Sequence, residues 1–236
     1  MRNLRPTLLI LAVVVIAGCT GGAQEAGTQA PGITQATATP SSTAGSTPVM
    51  TSASTPIPGP TTGEADISVT KQIVHAGPVI ASRALYEVIV EVKNSGSGWA
   101  DMVRGESDFT VYDKDGGVTT AASFGYAYPR YLGPGETGYL MVQGGVDGVN
   151  PDAFFKVLAD VHYKPVEQPG PTLTTDKISL NADPYGGTVN ATGTITNPST
   201  VDINSVVVGV IMFDSAGNPL TFDYTNIVKN IGAGQT

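Results

Sequence analysis

Alternation of apolar residues at every second position constrains the fold of this chain more than any other feature. The clearest run places its apolar side chains at Tyr86, Val88, Val90 and Val92. This is the period of a β-strand with one face toward a core and the other toward water. Similar runs cover residues 107–113, 139–142 and 154–163, and Gly, Pro, Asn and Asp separate them. With no convincing amphipathic helix, the sequence predicts an all-β sandwich or barrel.

Four landmarks occur twice, in the same order and with similar gaps. The matched segments are Val92–Ser95 with Ile195–Pro198, Phe109–Asp113 with Val210–Asp214, Asp115–Gly116 with Ala216–Gly217, and Leu132–Thr137 with Ile231–Thr236. In each copy the Asn is expected to end its strand by bonding nearby backbone, and the Asp with its following Gly to close a hairpin. The repeat predicts module 1 (residues 66–165) and module 2 (residues 174–236).

Module 2 stops at the counterpart of the Gly-Glu-Thr turn of module 1, whereas module 1 continues into further strand-like runs. We therefore expect module 2 to be truncated and to present an unpaired sheet edge. A strand from a partner could also complete that edge.

The landmarks resemble the FxLYD family of immunoglobulin-like extracellular domains. Module 1 matches through Phe109–Asp113, with Val111 at the Leu position, and module 2 matches more loosely through Val210–Asp214. The resemblance implies two tandem immunoglobulin-like antiparallel β-sandwiches, often found in surface lipoproteins. It implies no shared catalytic residues.

Residues 19–65 have the composition of a linker. From Thr20 to Glu64 the chain is mostly Thr, Ser, Ala, Gly, Pro and Gln, with no aromatic residue and no Lys or Arg. Such a segment cannot bury enough apolar surface to offset its ordering entropy. We expect a disordered stalk spanning roughly 35–40 Å.

The first 18 residues have the pattern of an export signal. Arg2 and Arg5 precede an apolar run from Leu8 to Ala17, which is too short to span a bilayer. The segment Ile16-Ala17-Gly18-Cys19 resembles the lipobox of bacterial and some archaeal lipoproteins. That resemblance implies cleavage after Gly18 and acylation of Cys19, which is the only cysteine and so has no disulfide partner within the molecule. An uncleaved or ordinary secretory signal that contains a cysteine is the alternative.

Charge argues against a nucleic-acid partner. Removing residues 1–18 removes Arg2 and Arg5 and no acids, which leaves 10 basic against 20 acidic side chains. Nucleic-acid binding depends on Lys and Arg to neutralise phosphates. The same balance argues against a polybasic second membrane anchor.

The sequence contains few groups suited to catalysis or metal binding. His75 and His162 are the only histidines, and a two-His site is conceivable, although ordinary polar positions explain them as well. The Asp113–Gly116 segment resembles the start of a calcium loop but lacks its later ligands, so a hairpin turn is favoured. We predict no catalytic residue, no cofactor and no metal site.

Two further features concern surface contacts. Phe124, Tyr126, Tyr128 and Tyr131 form an aromatic group that could bind a sugar or peptide. The alternation of Phe124, Tyr126 and Tyr128 equally fits the core face of one strand. Asn190 begins an Asn-Ala-Thr glycosylation sequon.

Together these features predict a membrane-anchored extracytoplasmic lipoprotein, not an enzyme, that acts by binding or adhesion or as an accessory to an envelope complex. Its expected partners are the membrane, through Cys19, and an envelope protein or glycan. The alternative is the N-terminal accessory part of a longer surface enzyme or solute-binding protein.

Overall fold

The computed structural model describes residues 13–18, 63–103, 105–167, 169, 173–182, 189–203, 206–227 and 230–236. The described chain is almost entirely β-structure, and all of its strand pairs are antiparallel. The predicted all-β sandwich class is confirmed. Much of the predicted linker, residues 19–62, lies outside the described residues, whereas Ala65 at its end is buried.

Within the described residues, ten strands belong to module 1 and its immediate flanks, and one further strand precedes them. They are β1 (Val13–Gly18), β2 (Ile67–Ile80), β3 (Arg83–Asn94), β4 (Trp99–Asp101), β5 (Asp108–Tyr112), β6 (Val118–Ser123), β7 (Tyr126–Tyr128), β8 (Tyr131–Leu132), β9 (Thr137–Asp147), β10 (Lys156–Asp160) and β11 (Lys164–Val166). A 3-10 turn covers Pro151–Ala153. Module 2 contains β12 (Thr174–Ala182), β13 (Val189–Thr196), β14 (Val206–Phe213) and β15 (Pro219–Ile227).

Module 1 is a sandwich with its own apolar core. One sheet has the order β2-β3-β9-β7, and the facing strands form the sheets β10-β5-β6 and β11-β4-β8. The predicted inward residues of β3 are all buried in this core, where they meet Phe109 and Val111 of β5. Burial of alternate side chains from two facing sheets is what stabilises a sandwich.

The other face of β3 differs from the sequence expectation. Period-two alternation predicts that this face meets water, yet Ile89 on it is fully buried. It packs with Tyr139 and Met141 of β9 in a second apolar cluster that includes residues of module 2. The expectation was wrong here because module 2 covers this face at Ile89. In the sequence, Ile89 is the apolar residue that interrupts the polar row Glu87, Glu91 and Lys93.

Asn94 ends β3 by bonding the backbone around it. Its side-chain Nδ2 donates to the carbonyl oxygens of Gly98 at 2.8 Å and Leu132 at 3.0 Å. Its Oδ1 accepts from the backbone N–H of Gly96 at 3.0 Å and of Asp66 at 3.1 Å. The side chain is completely buried, so these four bonds satisfy all of its usual capacity.

Asn197 makes the equivalent bonds in module 2. Its Nδ2 donates to Val201 O at 2.8 Å and Ile231 O at 3.0 Å, and its Oδ1 accepts from Ser199 N at 3.1 Å. The matched landmarks in the sequence therefore form matching hydrogen bonds in the structure. The expectation that each Asn bonds the backbone near the end of its strand is confirmed.

Module 2 is built from two small sheets. β12 pairs with β13, and β14 lies between β15 and β1 in a three-stranded sheet. The register of the last pair runs from Val13 opposite Ile211 to Gly18 opposite Val206. Thus this edge of β14 is covered, and the covering strand comes from the start of the same chain.

Candidate functional site

Three of the predicted site residues, Ile16, Ala17 and Gly18, lie within β1. Ile16, Ala17 and Gly18 are paired with Val208, Val207 and Val206 of β14. Cys19 lies outside the described residues. The lipidation hypothesis therefore stays a prediction from sequence.

Asn190 lies on β13 opposite Asn181 of β12 and is exposed. An exposed position is a requirement for glycosylation of a folded chain. Its use as an acceptor stays a prediction.

The two histidines have separate partners. His75 on β2 is half-buried, and its Nε2 donates to Pro219 O at 3.0 Å. His162, after β10, is exposed and has its Nε2 3.3 Å from Asp160 Oδ2. Within the described residues no group of three or more His, Cys, Asp or Glu side chains could hold a metal ion.

The Asp113 segment forms a hairpin turn. Asp113 Oδ1 accepts from the backbone N–H of Asp115 at 2.9 Å and of Gly117 at 2.7 Å. Asp214 bonds Ala216 N and Asn218 N in the same way, each at 2.8 Å. Bonds from Asn218 hold the pKa of the Asp214 carboxyl below its ordinary value. The hairpin-turn prediction is confirmed.

The aromatic group divides between two cores. Phe124 is buried in the module 1 core beside Phe109, with ring centroids 4.9 Å apart. Tyr128 is also buried, but it lies in the cluster shared with module 2. Tyr131 is half-buried with the Arg130 guanidinium 5.0 Å from its ring centroid. The prediction of one core face therefore needs correction, because the group serves both faces of the sheet.

The cluster shared by the two modules is the contact that sequence patterning missed. It joins four side chains of the β3-β9-β7 face to four from β14 and β15. The members are Ile89, Tyr128, Tyr139, Met141, Val207, Ile211, Phe213 and Phe222. Tyr139 and Phe213 meet edge to face with centroids 5.9 Å apart. The sequence shows the apolar residues of β14 and β15, but it does not show which surface their side chains face.

Close backbone approach accompanies this packing. A Cβ placed on Gly209 would lie 2.9 Å from the Tyr128 ring. Glycine in the middle of β14 thus lets the ring lie directly against the strand.

Polar contacts surround the shared cluster. Lys71 Nζ donates to Gly217 O at 2.8 Å, which joins β2 to the turn between β14 and β15. Thr221 Oγ1 donates to Glu87 Oε2 at 2.8 Å. Gln143 Nε2 donates to Phe222 O at 3.2 Å. These bonds fix the position of the β15 N-terminal half on module 1.

An open groove of about 700 Å³ lies beside this contact. Its walls come from the β2–β3 hairpin, from β9 and from the first residues of β15. The residues that line it include His75, Arg83, Leu85, Glu87, Gln143 and Leu220. The groove is the candidate ligand site of the described chain.

Of the described residues that line the groove, Arg83 is the cation that other contacts leave available. Among the described residues it forms no hydrogen bond or ion pair, although Asp147 lies opposite it on β9. Its side chain lies along Gly145, where a Cβ would come 2.4 Å from Nε. A guanidinium in this position can bind a carboxylate or sulfate through paired N–H donors.

The remaining polar groups of the groove are already bonded. His75 and Gln143 donate to carbonyls of module 2, and Glu87 accepts from Thr221. The arrangement suits noncovalent contact with a ligand at Arg83, with apolar surface from Leu85 and Leu220 nearby.

In the described part of the chain, no helix has the length and apolar character needed to cross a bilayer. Comparison with family models, curated proteins and solved structures finds no match to this chain.

Proposed function

We propose that this chain is a lipid-anchored extracytoplasmic protein whose tandem β-sandwich modules bind an envelope component without catalysis. The proposal is carried by one observation: a basic start and a ten-residue apolar run lead directly to Ala17-Gly18 and the only cysteine of the chain. The FxLYD resemblance of both modules supports a surface location. The acidic balance of the chain suits a soluble extracellular surface.

Anchoring at Cys19 would follow from acylation of its thiol. Each buried CH₂ of an acyl chain contributes about 0.8 kcal/mol, and two or more chains give stable membrane attachment. The linker of residues 19–65 would then separate the modules from the bilayer.

Metabolic labelling with a palmitate analogue tests the anchor. Wild type and a Thr20→Ala control should incorporate label, whereas Cys19→Ala should not, because it removes the acylated thiol. Intact-mass analysis of the cell-derived product should show loss of residues 1–18 and added acyl mass. Equal labelling of the Cys19→Ala variant would exclude the proposal.

The groove beside Arg83 supports a binding role for the modules. We propose that it contacts an acidic group of an envelope glycan, since the guanidinium has no partner among the described residues and lies at an open surface. Neighbouring Leu85 and Leu220 would cover the apolar face of a sugar ring.

Defined oligosaccharides with and without uronic acid test this contact. The wild-type chain should retain the acidic members, and Arg83→Gln should weaken that retention about tenfold, the loss typical of one charge-assisted contact. Lys114→Gln removes the same charge from an exposed turn and should leave retention unchanged. Equal retention of acidic and neutral sugars by the wild type would contradict a role for Arg83.

A further inference from the structure

The covered edge of β14 has a direct counterpart in module 1. There β5 lies between β10 and β6, and in module 2 the equivalent strand β14 lies between β1 and β15. Because β15 follows the matched Asp turn as β6 does, β1 takes the place that β10 takes in module 1. Both covering strands run antiparallel to the strand they complete.

The two covering strands differ in chemistry. β10 begins at Lys156 and ends at Asp160, whereas β1 contains only apolar residues and glycine. β14 itself contains no charge and no proline from Val206 to Phe213. Charged residues and proline are the usual protection of an exposed sheet edge, so the edge of β14 has no such protection once β1 is removed.

The strand that covers β14 is similar to β14. β1 reads Val-Val-Val-Ile-Ala-Gly, and β14 begins Val-Val-Val-Gly-Val-Ile. An occupant of the same composition is therefore supplied by β14 of another copy of this chain. An antiparallel pair of identical strands is closed by a two-fold axis, so such an association stops at a dimer.

We propose that the outer edge of β14 is a self-association surface that β1 covers until the leader is removed. In the processed chain, β14 of one copy pairs antiparallel with β14 of a second copy. Removal of the leader at Gly18 rests on the proposed function, whereas the strand exchange itself needs no lipid. Copies anchored in one membrane would meet at raised local concentration, which favours the pairing.

Sedimentation velocity of the full chain carrying Cys19→Ser tests the proposal without lipid. With the leader intact, the sedimenting species should have the mass of one chain over the whole concentration range. Val15→Asp places a charge in the paired segment and should shift the mass to two chains. Leu9→Asp adds the same charge to the leader outside Val13–Gly18 and should leave one chain.

A second substitution locates the surface. Val210 is half-buried on β14 and lies opposite Val14 of β1. Val210→Lys, added to Val15→Asp, should restore the mass of one chain, because each copy would bring a charge to the shared edge. Ser215→Lys adds that charge in the β14–β15 turn and should leave the dimer intact.

Amide exchange of the segment 206–211 separates pairing from unfolding. About every second amide of this segment faces the outer edge of β14, because the others bond β15. These outward amides should be protected in the intact leader form, and in Val15→Asp or in the processed chain 19–236 they should be protected only at concentrations where two chains associate. A leader-free chain that stays monomeric at every concentration would overturn the proposal, as would dimerisation with β1 intact. Failure of palmitate labelling would affect the anchor alone.

Discussion

Module 1 and module 2 share their local hydrogen bonds but not their way of burying apolar surface. Asn94 and Asn197 make matching bonds, and Gly135 N and Gly234 N donate to the carbonyls of those two residues at 2.8 and 2.9 Å. Module 1 buries its large side chains between its own sheets. Module 2 instead turns Phe213 and Phe222 onto the outer face of module 1.

This difference shows that repeated local determinants do not ensure an independent core. Among the described residues, the separate interior of module 2 is a small cluster of Ile203, Val206 and Val208 with the preceding Leu173, and it includes no aromatic side chain. The stability of module 2 should therefore depend on its contact with module 1 more than the reverse, because buried apolar area is the main stabilising contribution.

Phe213→Ala should produce the largest loss of unfolding free energy, because it removes a main contact by which module 1 stabilises module 2. Phe213 is 5% exposed and meets Tyr139 edge to face. Its removal should cost about 3 kcal/mol, since it deletes a buried ring and leaves a cavity. In urea titration monitored by amide exchange, residues 206–222 should lose protection before residues 84–92.

Phe155→Ala is the matched control for this substitution. Phe155 is 67% exposed, so its removal should change the free energy of unfolding by less than about 0.5 kcal/mol. If both modules of the Phe213 variant unfolded together at an unchanged urea midpoint, the shared cluster would not carry the stability of module 2.

Alanine at the two buried asparagines sharpens the comparison at the hydrogen bonds that the two modules share. Asn94→Ala leaves the carbonyls of Gly98 and Leu132 without their donor and should cost about 3 kcal/mol, because each buried group loses a partner. Asn197→Ala should cost about as much locally. Because module 2 has the smaller separate core, Asn197→Ala should unfold it without unfolding module 1.

Circular dichroism with amide exchange distinguishes the two variants. Asn94→Ala should remove protection from both modules, since module 2 packs on module 1. Loss of module 1 protection in the Asn197 variant would show that dependence runs in both directions. Asn94→Asp keeps the shape and replaces the donor, and it should be at least as destabilising.

Strands and turns could be predicted from the sequence where they depend on local patterns, such as alternating apolar residues or an Asp followed by Gly. The alternation from Tyr86 to Val92 placed the module 1 core, and Asp113 and Asp214 placed the hairpins. Both rest on interactions within a few residues or on the two-residue period of a strand, which the sequence contains directly.

The contact between the modules could not be predicted because it depends on which face of one sheet meets another. Ile89 between Glu87 and Glu91 was the only local signal on the β3 face, and one apolar residue does not identify a partner. The groove was missed for the same reason, since Arg83 and Leu220 meet only after the modules pack. The pairing of β1 with β14 joins segments nearly 200 residues apart and had no local signal.

Gly209→Ala should weaken the same contact by a smaller amount. The added methyl would lie 2.9 Å from Cδ1 of Tyr128, so ring or strand must shift at a cost of about 1–2 kcal/mol. Gly193→Ala adds the methyl to β13, where its nearest neighbour is 3.4 Å away, and provides the control. Equal unfolding midpoints for the two variants would show that the ring moves freely.

Tyr139→Phe should change the free energy of unfolding least at neutral pH. The pH dependence of that free energy nevertheless tests whether the contact between the modules is closed to water. Burial, with the nearby Glu91 carboxylate and its hydrogen bond, raises the pKa of Tyr139 from 10.0 to about 12. The phenol donates to Glu91 Oε2 at 3.3 Å and lies in the shared cluster. Since the neutral phenol is favoured in the folded chain, its stabilisation is complete below pH 10 and is lost as pH rises toward 12.

The free energy of unfolding of wild type and Tyr139→Phe should therefore be compared by urea titration from about pH 8 to about pH 11. The wild type should lose stability faster than the variant above pH 10, because only its unfolded state gains the phenolate at position 139. The other tyrosines are common to both proteins, so they cancel in the difference. Parallel pH profiles would mean that Tyr139 ionises as easily in the packed modules as in the unfolded chain. Water would then reach the cluster that the two modules share.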